Sequence, residues 1–501
     1  MKEEIISTPS KYKNIPKKFA NSLDEEIYKS AKLGVPGELL DDRPVQPLMT
    51  GGGLEPYGGP WDDQAIVHFL RRLTYGVKKE DLVRFKGMNL NQAIDEVIRI
   101  SPTPSPPVND YNDSDFQDPT VPFGQTWVNA AWHEDAASAR VVSLKKWLIQ
   151  RMANQQTTIH EKMVQFWHNH LVVQLWDAYM PEASYRHFSM LRSHAMGNFK
   201  TMVKDMTIDT SMLIYLNGFL NSKEAPDENY SRELQELFCI GKGPNANFTE
   251  GDVQQMARVL TGWTIRWPQR VTVWNQWAHD TGDKQFSAFY NNTVIQGRSG
   301  NDGQQELDDL MDMLFDNEET ALFICRKLYS YFVYSEISDQ AEQDVIKPLA
   351  NIFRDNNYEI LPVLKALFSS AHFFDAEIRA AQIKSPLDSL IGFWRTTGVK
   401  FPADWSLYQK GLAYNSMLWN MSNMGQQVGD PPNVAGYPAY YQNPIFDKSW
   451  ITTDTITRRG LNTDSFIFWG FWTPLENASL NKSFGSFGFS NVFTNAIRST
   501  L

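Results

Sequence analysis

Histidines in two predicted helices are the first residues whose type and spacing could support acid/base chemistry. In MVQFWHNHLVV, residues 163–173, His170 shares the apolar helix face, whereas His168 lies about 200° further around the helix. One helix therefore cannot present both rings to a single ion. His187 and His194 share a face of the next predicted helix. A lone histidine on an apolar face is usually a core residue, but three inward histidines, His170, His187 and His194, predict a buried polar site.

A second group of polar residues lies in DENYSRELQELFCIG, residues 227–241. Asp227 is predicted to cap this helix and Gly241 to end it. Asn229 and Glu233 lie beside the apolar stripe of the helix, where partial burial could shift the pKa of a carboxylate into a range useful for catalysis. Two interpretations stay open for them, acid/base catalysis and a structural network. Tyr230, on the stripe itself, is a candidate for substrate binding.

Charge spacing around this helix predicts local structure. Arg232 is four residues from Glu228 and from Glu236, a spacing that favours salt bridges along one helix face. Thr249 and Asp252 approximate a capping box at the start of the next helix, so this aspartate is predicted to be a cap. Neither feature by itself indicates catalysis.

A third group, AHDTGDKQF, lies in a long segment that interrupts the helical pattern near residues 267–300. His279, Asp280 and Lys284 together could serve proton transfer, a divalent metal ion or a phosphate group. The competing interpretation is a solvated turn around Gly282. We favour function, because the tryptophans of this segment would form a costly apolar loop if they covered nothing.

Aromatic and basic side chains near this segment are candidate substrate-binding residues. Trp263, Trp274 and Trp277 could stack on sugar rings, although tryptophan is also a common core residue. Arg258 points away from the apolar face of its helix and suits either an anionic ligand or, as we favour, a salt bridge to a neighbouring helix. The alternating pattern from Arg270 to Trp274 indicates that this segment could hold a small hairpin.

Composition and missing motifs exclude several classes of function. The chain of 501 residues has a net charge of -11 and no long Lys/Arg block, so a nucleic-acid partner is not expected. No stretch approaches the ~20 apolar residues of a membrane span. Cys239 and Cys325 are predicted to be buried thiols. Walker, GxGxxG, GxSxG, HExxH and CxxCH motifs are all missing from the sequence.

Hydrophobic periodicity defines the expected architecture. Apolar residues recur at helical spacing from Asp62 to about residue 400, and long alternating patterns are scarce. We predict a mainly α protein, a large multi-helix globular domain with long loops and at most a small β-hairpin. The predicted organisation is an extended N-terminal arm over residues 1–60, one large helical domain over 61–460, and an aromatic, Gly- and Ser-rich tail over 461–501.

Several stretches, taken in order, resemble the bacterial domain-of-unknown-function family numbered 1800. They are HFLRRLTYG (68–76), EKMVQFWHNHLV (161–172), LRSHAMGNFKTM (191–202), DENYSRELQELFCIG (227–241), FTEGDVQQMARVLTGW (248–263), HDTGDK (279–284), IKSPLD (383–388) and GQQVGDPPNVAGYP (425–438). The resemblance implies a helical, usually exported bacterial protein. It also implies a gene neighbour that resembles alkaline phosphatases and sulfatases, and hence extracellular glycans or their esters.

These observations predict an extracytoplasmic enzyme that acts on a carbohydrate or its esters, with a divalent metal ion as one option for its cofactor. Its catalytic groups would be His170, His187, His194, Asn229, Glu233, His279 and Asp280. The first residues lack the apolar segment of a secretory signal, so a cytoplasmic location stays open. The alternative function is a non-catalytic binding or assembly partner of a phosphatase- or sulfatase-like protein or of a cell-surface polymer.

Overall fold

A computed structural model describes residues 51–113, 115–267, 269–401 and 403–468, and two strands at 471–474 and 487–490. The predicted N-terminal arm and C-terminal tail lie largely outside the described residues. Residues 51–62 contain no helix, and the backbone pairs Pro56 with Ser370. The three-part organisation stays a prediction.

Helices dominate the described residues, which confirms the predicted fold class. The first helix, α1, begins where the sequence predicts, because the Asp62 side chain accepts a hydrogen bond from the Ala65 N–H. The remaining helices, in chain order, are α2 (Lys79–Lys86), α3 (Leu90–Val97), α4 (Glu134–Asn154), α5 (His160–His170), α6 (Leu175–Ala178), α7 (Pro181–His194), α8 (Phe199–Thr207), α9 (Thr210–Tyr215), α10 (Glu228–Glu233), α11 (Glu250–Val259), α12 (Glu306–Asp316), α13 (Glu318–Phe332), α14 (Asp339–Ala341), α15 (Lys347–Asp355), α16 (Ile360–Phe368), α17 (Pro386–Thr396), α18 (Leu407–Asn423) and α19 (Thr453–Phe468), with α1 spanning Asp63–Leu73.

Strands form three short antiparallel pairs in the described part of the chain. β1 (Trp263–Arg266) pairs with β2 (Val271–Trp274), which confirms the predicted hairpin. β3 (Lys284–Gln285) pairs with β4 (Val294–Ile295), and β5 (Phe471–Pro474) pairs with β6 (Phe487–Ser490). The last two pairs were not predicted, and β3 and β4, with two residues each, are too short to show an alternating pattern.

Helix α4 lies at the centre of the core and packs against α7, α17 and α18. Its residues from Ala136 to Ile149 are all buried, and such a helix is covered on every side. Arg140, Lys145 and Lys146 are among those buried residues, so their charges must be compensated inside the protein. The core therefore contains ion pairs as well as apolar contacts.

The helix predicted over residues 227–241 has a local departure from α geometry. Asp227 caps α10, as predicted, but residues Leu234–Cys239 form a π-helix before Gly241, where φ is +90°. A β-carbon at Gly241 would lie 2.7 Å from the Phe323 ring. Glycine is required there for both the backbone angle and the close approach of α13.

No helix within the described ranges is both long enough and apolar enough to cross a membrane. This finding agrees with the hydropathy of the sequence.

Candidate functional site

The three histidines predicted to meet in one buried site make separate contacts. His170 donates from Nε2 to the Phe238 carbonyl at 2.9 Å, and burial lowers its pKa to about 3. His187 donates from Nδ1 to Asp209 at 3.0 Å. His194 contacts Asp205 at 2.8 Å and is 21% exposed. Each ring thus ties its helix to a different neighbour.

The polar residues of α10 are also engaged separately. The Asn229 amide donates to the Leu216 carbonyl at 2.8 Å, and the Tyr230 hydroxyl donates to Thr207 at 3.0 Å. Burial and the nearby Glu236 raise the pKa of Glu233. Raising the pKa is the change that the sequence suggested for this carboxylate, and its catalytic role stays a prediction.

The salt bridges predicted along α10 are present. Arg232 contacts Glu228 at 3.1 Å and Glu236 at 3.8 Å, and it also pairs with Glu250 at 2.7 Å. The capping box of Thr249 and Asp252 forms as predicted.

The AHDTGDKQF segment is fastened to α12 by a buried ion cluster. Glu306 accepts from His279 Nε2 at 3.0 Å and from Lys284 Nζ at 2.5 Å, and all three side chains are fully buried. The other His279 nitrogen, Nδ1, donates to the Thr261 carbonyl at 2.9 Å. The segment is therefore a fixed part of the fold, and Lys284 points inward, away from any ligand in solution.

Arg258 forms a salt bridge, as predicted, but its partner is in a loop and not on a neighbouring helix. Its guanidinium contacts both carboxylate oxygens of Asp280, at 2.8 and 3.0 Å. Trp274 packs on the rings of Trp263 and His279. Trp277 alone among the predicted sugar-stacking residues is largely exposed, at 77%.

Within the described residues, no group of three or more His, Cys, Asp or Glu side chains could hold a metal ion. None of the seven predicted catalytic residues lines a cavity bordered by His68, Arg71, Arg72, Arg379 and Lys384. We call this cavity the basic pocket. It has a volume of about 360 Å³, in the range of small-molecule sites. Its lining includes Gln64, Val67, His68, Arg71, Arg72, Lys162, Ser330, Tyr331, Arg379, Ala380, Gln382, Ile383, Lys384, Ser385, Asp388, Ala439, Tyr440, Asp447 and Trp450.

Helix α1 supplies one wall of the basic pocket. His68, Arg71 and Arg72 stand at positions i, i+3 and i+4, so they lie on one face of the helix. Arg72 is held by three neutral acceptors, the carbonyls of Phe332 and Val333 and the Gln382 side chain. Burial lowers the pKa of Arg72 to about 10, and the guanidinium stays charged at neutral pH.

Positive charge exceeds negative charge in the basic pocket. Five Lys and Arg side chains and two Asp side chains line it, which leaves an excess of three positive charges when His68 is neutral. In the described part of the chain, Arg71, Arg379 and Lys384 form no ion pair, and Arg379 Nε is buried without a hydrogen-bond partner. Partial burial lowers the pKa of Lys384, the charge of Asp388 opposes this effect, and the charge of Arg71 adds to it. These cations repel one another.

The two carboxylates of the basic pocket are already occupied. Asp388 pairs with Lys162 at 2.8 Å. Asp447 accepts hydrogen bonds from the Ser335 hydroxyl at 2.8 Å and from the Ile383 N–H at 2.7 Å. Burial lowers the pKa of Lys162, an effect that Asp388 opposes. Neither carboxylate forms an ion pair with Arg71, Arg379 or Lys384 within the described residues, although the charge of Asp388 favours the protonated form of Lys384.

Aromatic rings form another wall of the basic pocket. Tyr331 and Tyr440 pack with ring centroids 5.1 Å apart, and Tyr440 also contacts Trp450. Burial raises the pKa of Tyr440, so its phenol is neutral at physiological pH. The pocket thus combines cations, neutral hydroxyl groups and ring surfaces.

His68 is a pocket residue with a defined tautomer. Its Nε2 lies 2.8 Å from the Phe373 carbonyl, which can only accept, so Nε2 bears the proton. Burial, together with the charges of Arg72 and Arg379, lowers the pKa of His68 to about 4. The ring is neutral at pH 7, with a lone pair on Nδ1.

None of these pocket residues was predicted from the sequence to belong to a site. The available signal was the spacing of His68, Arg71 and Arg72 on a predicted helix, which places three polar groups on one face of an otherwise apolar element. Three of the stretches on which the resemblance rests, at 68–76, 161–172 and 383–388, each contribute to the lining. Their convergence could not be read from spacing along the chain.

The chain was compared with known proteins at the levels of family, sequence and fold. No curated protein and no solved structure matches it. A family model described as "Protein of unknown function (DUF1800)" matches residues 68–499, which include every side chain of the basic pocket except Gln64 and Val67. Because this match spans most of the chain, the protein belongs to the DUF1800 family.

Proposed function

We propose that the basic pocket binds a carbohydrate bearing an anionic group, and that the protein acts on such a ligand outside the cytoplasm, as the family resemblance implies. The observation that supports this most is the excess of three positive charges in one cavity of a protein whose net charge is -11. Cations placed close together without counter-ions cost free energy, which an anionic ligand would recover.

The rest of the lining suits a sugar better than a purely apolar ligand. The faces of Tyr331 and Tyr440 offer surface for the C–H groups of a sugar ring. The Gln64 side chain, which also lines the pocket, offers an amide group to sugar hydroxyls. Arginine binds carboxylate, phosphate or sulfate oxygens in pairs, so the pocket accommodates any of these anionic groups.

Calorimetric titration tests the proposal with glucuronate, glucose 6-phosphate and glucose as probes. We expect both anionic sugars to bind, glucose to bind far more weakly, and affinity to fall as salt concentration rises. Equal affinity for all three sugars, or no binding of the two anions, would contradict the proposal.

Arg71→Gln is expected to weaken binding of the anionic sugars by about 10- to 100-fold, the loss associated with one charged hydrogen bond. Because Arg71 forms no ion pair in the described part of the chain, we expect the melting temperature to change little. The matched control is Arg266→Gln, which removes an exposed arginine of β1 outside the pocket. Equal affinities of the two variants would show that the pocket is not the binding site.

The exposed indole of Trp277 favours a second candidate function, the surface binding of a polymer or of a protein partner. The Trp277 side chain is 77% exposed, and buried ion pairs hold its segment in place. It therefore offers a rigid apolar surface to a partner. Trp277→Ala is expected to reduce adhesion to insoluble cellulose or chitin at least several-fold, as measured by co-sedimentation. Phe123→Ala, which removes another exposed ring, serves as control. If both variants sediment like the parent protein, this second function is wrong.

A further inference from the structure

We propose that the basic pocket is catalytic and cleaves a uronic-acid-containing glycan by β-elimination, with His68 as the general base and Tyr440 as the general acid. This inference rests on the proposed function, because it requires an anionic sugar in the pocket. It adds the reaction type and assigns roles to two residues that line the same cavity.

The uncompensated cations are the first requirement of this reaction. The proton at C5 of a uronate is next to a carboxylate, and its removal leaves a second negative charge that spreads onto the carboxylate oxygens. Fixed cations at those oxygens stabilise that charge as it develops. Arg71, Arg379 and Lys384 have no carboxylate partner within the described ranges, so they can contact the uronate.

The second requirement is a base with an available lone pair. The Phe373 carbonyl fixes the proton of His68 on Nε2, and Nδ1 makes no hydrogen bond within the described part of the chain. The ring is 6% exposed, and His68 is one of the residues that line the pocket. At neutral pH this lining residue therefore has an unprotonated nitrogen, Nδ1, that is free of hydrogen bonds within the described part of the chain.

Binding of the anion strengthens this base. Besides burial, the charges of Arg72 and Arg379 hold the pKa of His68 down, and a carboxylate beside them would offset their effect. The bound substrate thus raises the proton affinity of the group that must accept its proton. Within the described residues, no carboxylate pairs with His68 in the unliganded pocket.

The third requirement is a proton donor for the leaving oxygen. Tyr440 is a neutral phenol that lines the pocket, and its hydroxyl contacts Ser385. Because the phenol is protonated at neutral pH, it can give its proton to the leaving oxygen as negative charge develops there. The electrostatic influence of Asp388 and Asp447 on Tyr440 favours the protonated phenol before the reaction.

The reaction balances without water, an oxidant or a reductant. The C5–H bond breaks and its proton moves to Nδ1 of His68. The electron pair forms a double bond between C4 and C5 as the bond from C4 to the leaving oxygen breaks. That oxygen takes the proton of the Tyr440 hydroxyl, and proton exchange with solvent then restores both residues.

Incubation of the full chain with polygalacturonate, polymannuronate and hyaluronan tests the inference. We expect at least one of them to yield a product with a C4–C5 double bond, detected by ultraviolet absorbance and by a mass lower than that of the hydrolysis product by one water. A product that has gained water and contains no double bond would overturn the assigned reaction. No turnover of any of the three polymers, although anionic sugars bind in the pocket, would overturn the inference but leave the proposed function standing, whereas no binding at all would overturn both.

Two variants assign the roles. His68→Gln can keep a donor to the Phe373 carbonyl but has no basic nitrogen, and Tyr440→Phe removes only a hydroxyl. We expect each to lower kcat by about 10²- to 10⁴-fold with little change in the binding of glucuronate. His160→Gln is the matched control, because burial also lowers the pKa of His160 to about 4, its Nε2 faces a carbonyl, and it lies outside the pocket.

The pH profile separates a base from a structural histidine. In the parent protein, kcat/KM should fall as pH decreases through about 4, where His68 becomes protonated in the free protein. His68→Gln should lack that limb and retain its thermal stability. An unchanged acid limb, or full activity of either variant, would show that His68 and Tyr440 do not have these roles.

Discussion

Arg140→Met is expected to lower the free energy of unfolding by at least about 3–5 kcal/mol, the usual loss when one partner is removed from a buried ion pair. Arg140 is fully buried on α4 and binds two carboxylates at once. It contacts Asp118 through two bonds of 2.9 and 3.0 Å and Glu182 at 2.6 Å. Methionine fills a similar volume but leaves both acids buried without a cation.

Urea denaturation of the parent and variant proteins measures this loss. The matched control is Arg99→Met, whose side chain is 51% exposed and pairs with Glu96 at the surface. Exposed pairs contribute roughly 0–1 kcal/mol, so this control should unfold almost like the parent protein. If Arg140→Met and Arg99→Met cost the same, the buried triad is not a main source of stability.

Local elements of the fold were predictable because their signals lie within a few residues. The helical pattern that begins at Asp62 becomes α1, and the predicted capping box of Thr249 and Asp252 starts α11. The hairpin of β1 and β2 follows the alternating pattern that ends at Trp274. Each of these features depends on hydrogen bonds or side-chain faces between near neighbours, and such information is present in a short segment.

The π-helix over residues 234–239 shows where local signals fail. The apolar spacing of that segment is compatible with a regular α-helix. In the structure its backbone has the wider turns of a π-helix, and α13 packs closely just after it, at Gly241. That packing involves Phe323, more than eighty residues away in sequence. No pattern within the segment encodes its partner.

The candidate site depended even more on distant partners. His279 and Lys284 have the residue types of a catalytic loop, but Glu306 on α12 neutralises them inside the protein. In the sequence, His68 is one histidine among the apolar residues of a predicted helix. In the fold, it lines the basic pocket together with Arg379 and Tyr440, which are distant in sequence. Residue type predicted which side chains could do chemistry, whereas tertiary packing decided which of them face a cavity.

Lys284→Met should lower the free energy of unfolding by about 3–5 kcal/mol, because it leaves Glu306 buried with one fewer cation. Glu306 would keep only its contacts with His279 and with the Arg298 N–H, at 3.0 and 2.6 Å. Thermal unfolding of the two proteins at equal pH measures the loss. A variant as stable as the parent would mean that the buried lysine contributes little.

A double variant distinguishes the loss of a charge pair from a simple packing defect. Glu306→Gln removes the buried negative charge but retains an acceptor for the Arg298 N–H. In Lys284→Met/Glu306→Gln, neither charge of the pair is left, so its destabilisation should be smaller than the sum of the two single losses by about 0.5–3 kcal/mol. Additive losses would instead assign the effect to packing. This ion cluster holds the segment that bears Trp277. Comparing the chitin adhesion of the parent, the two single variants and the double variant therefore tests whether polymer binding needs a rigid loop.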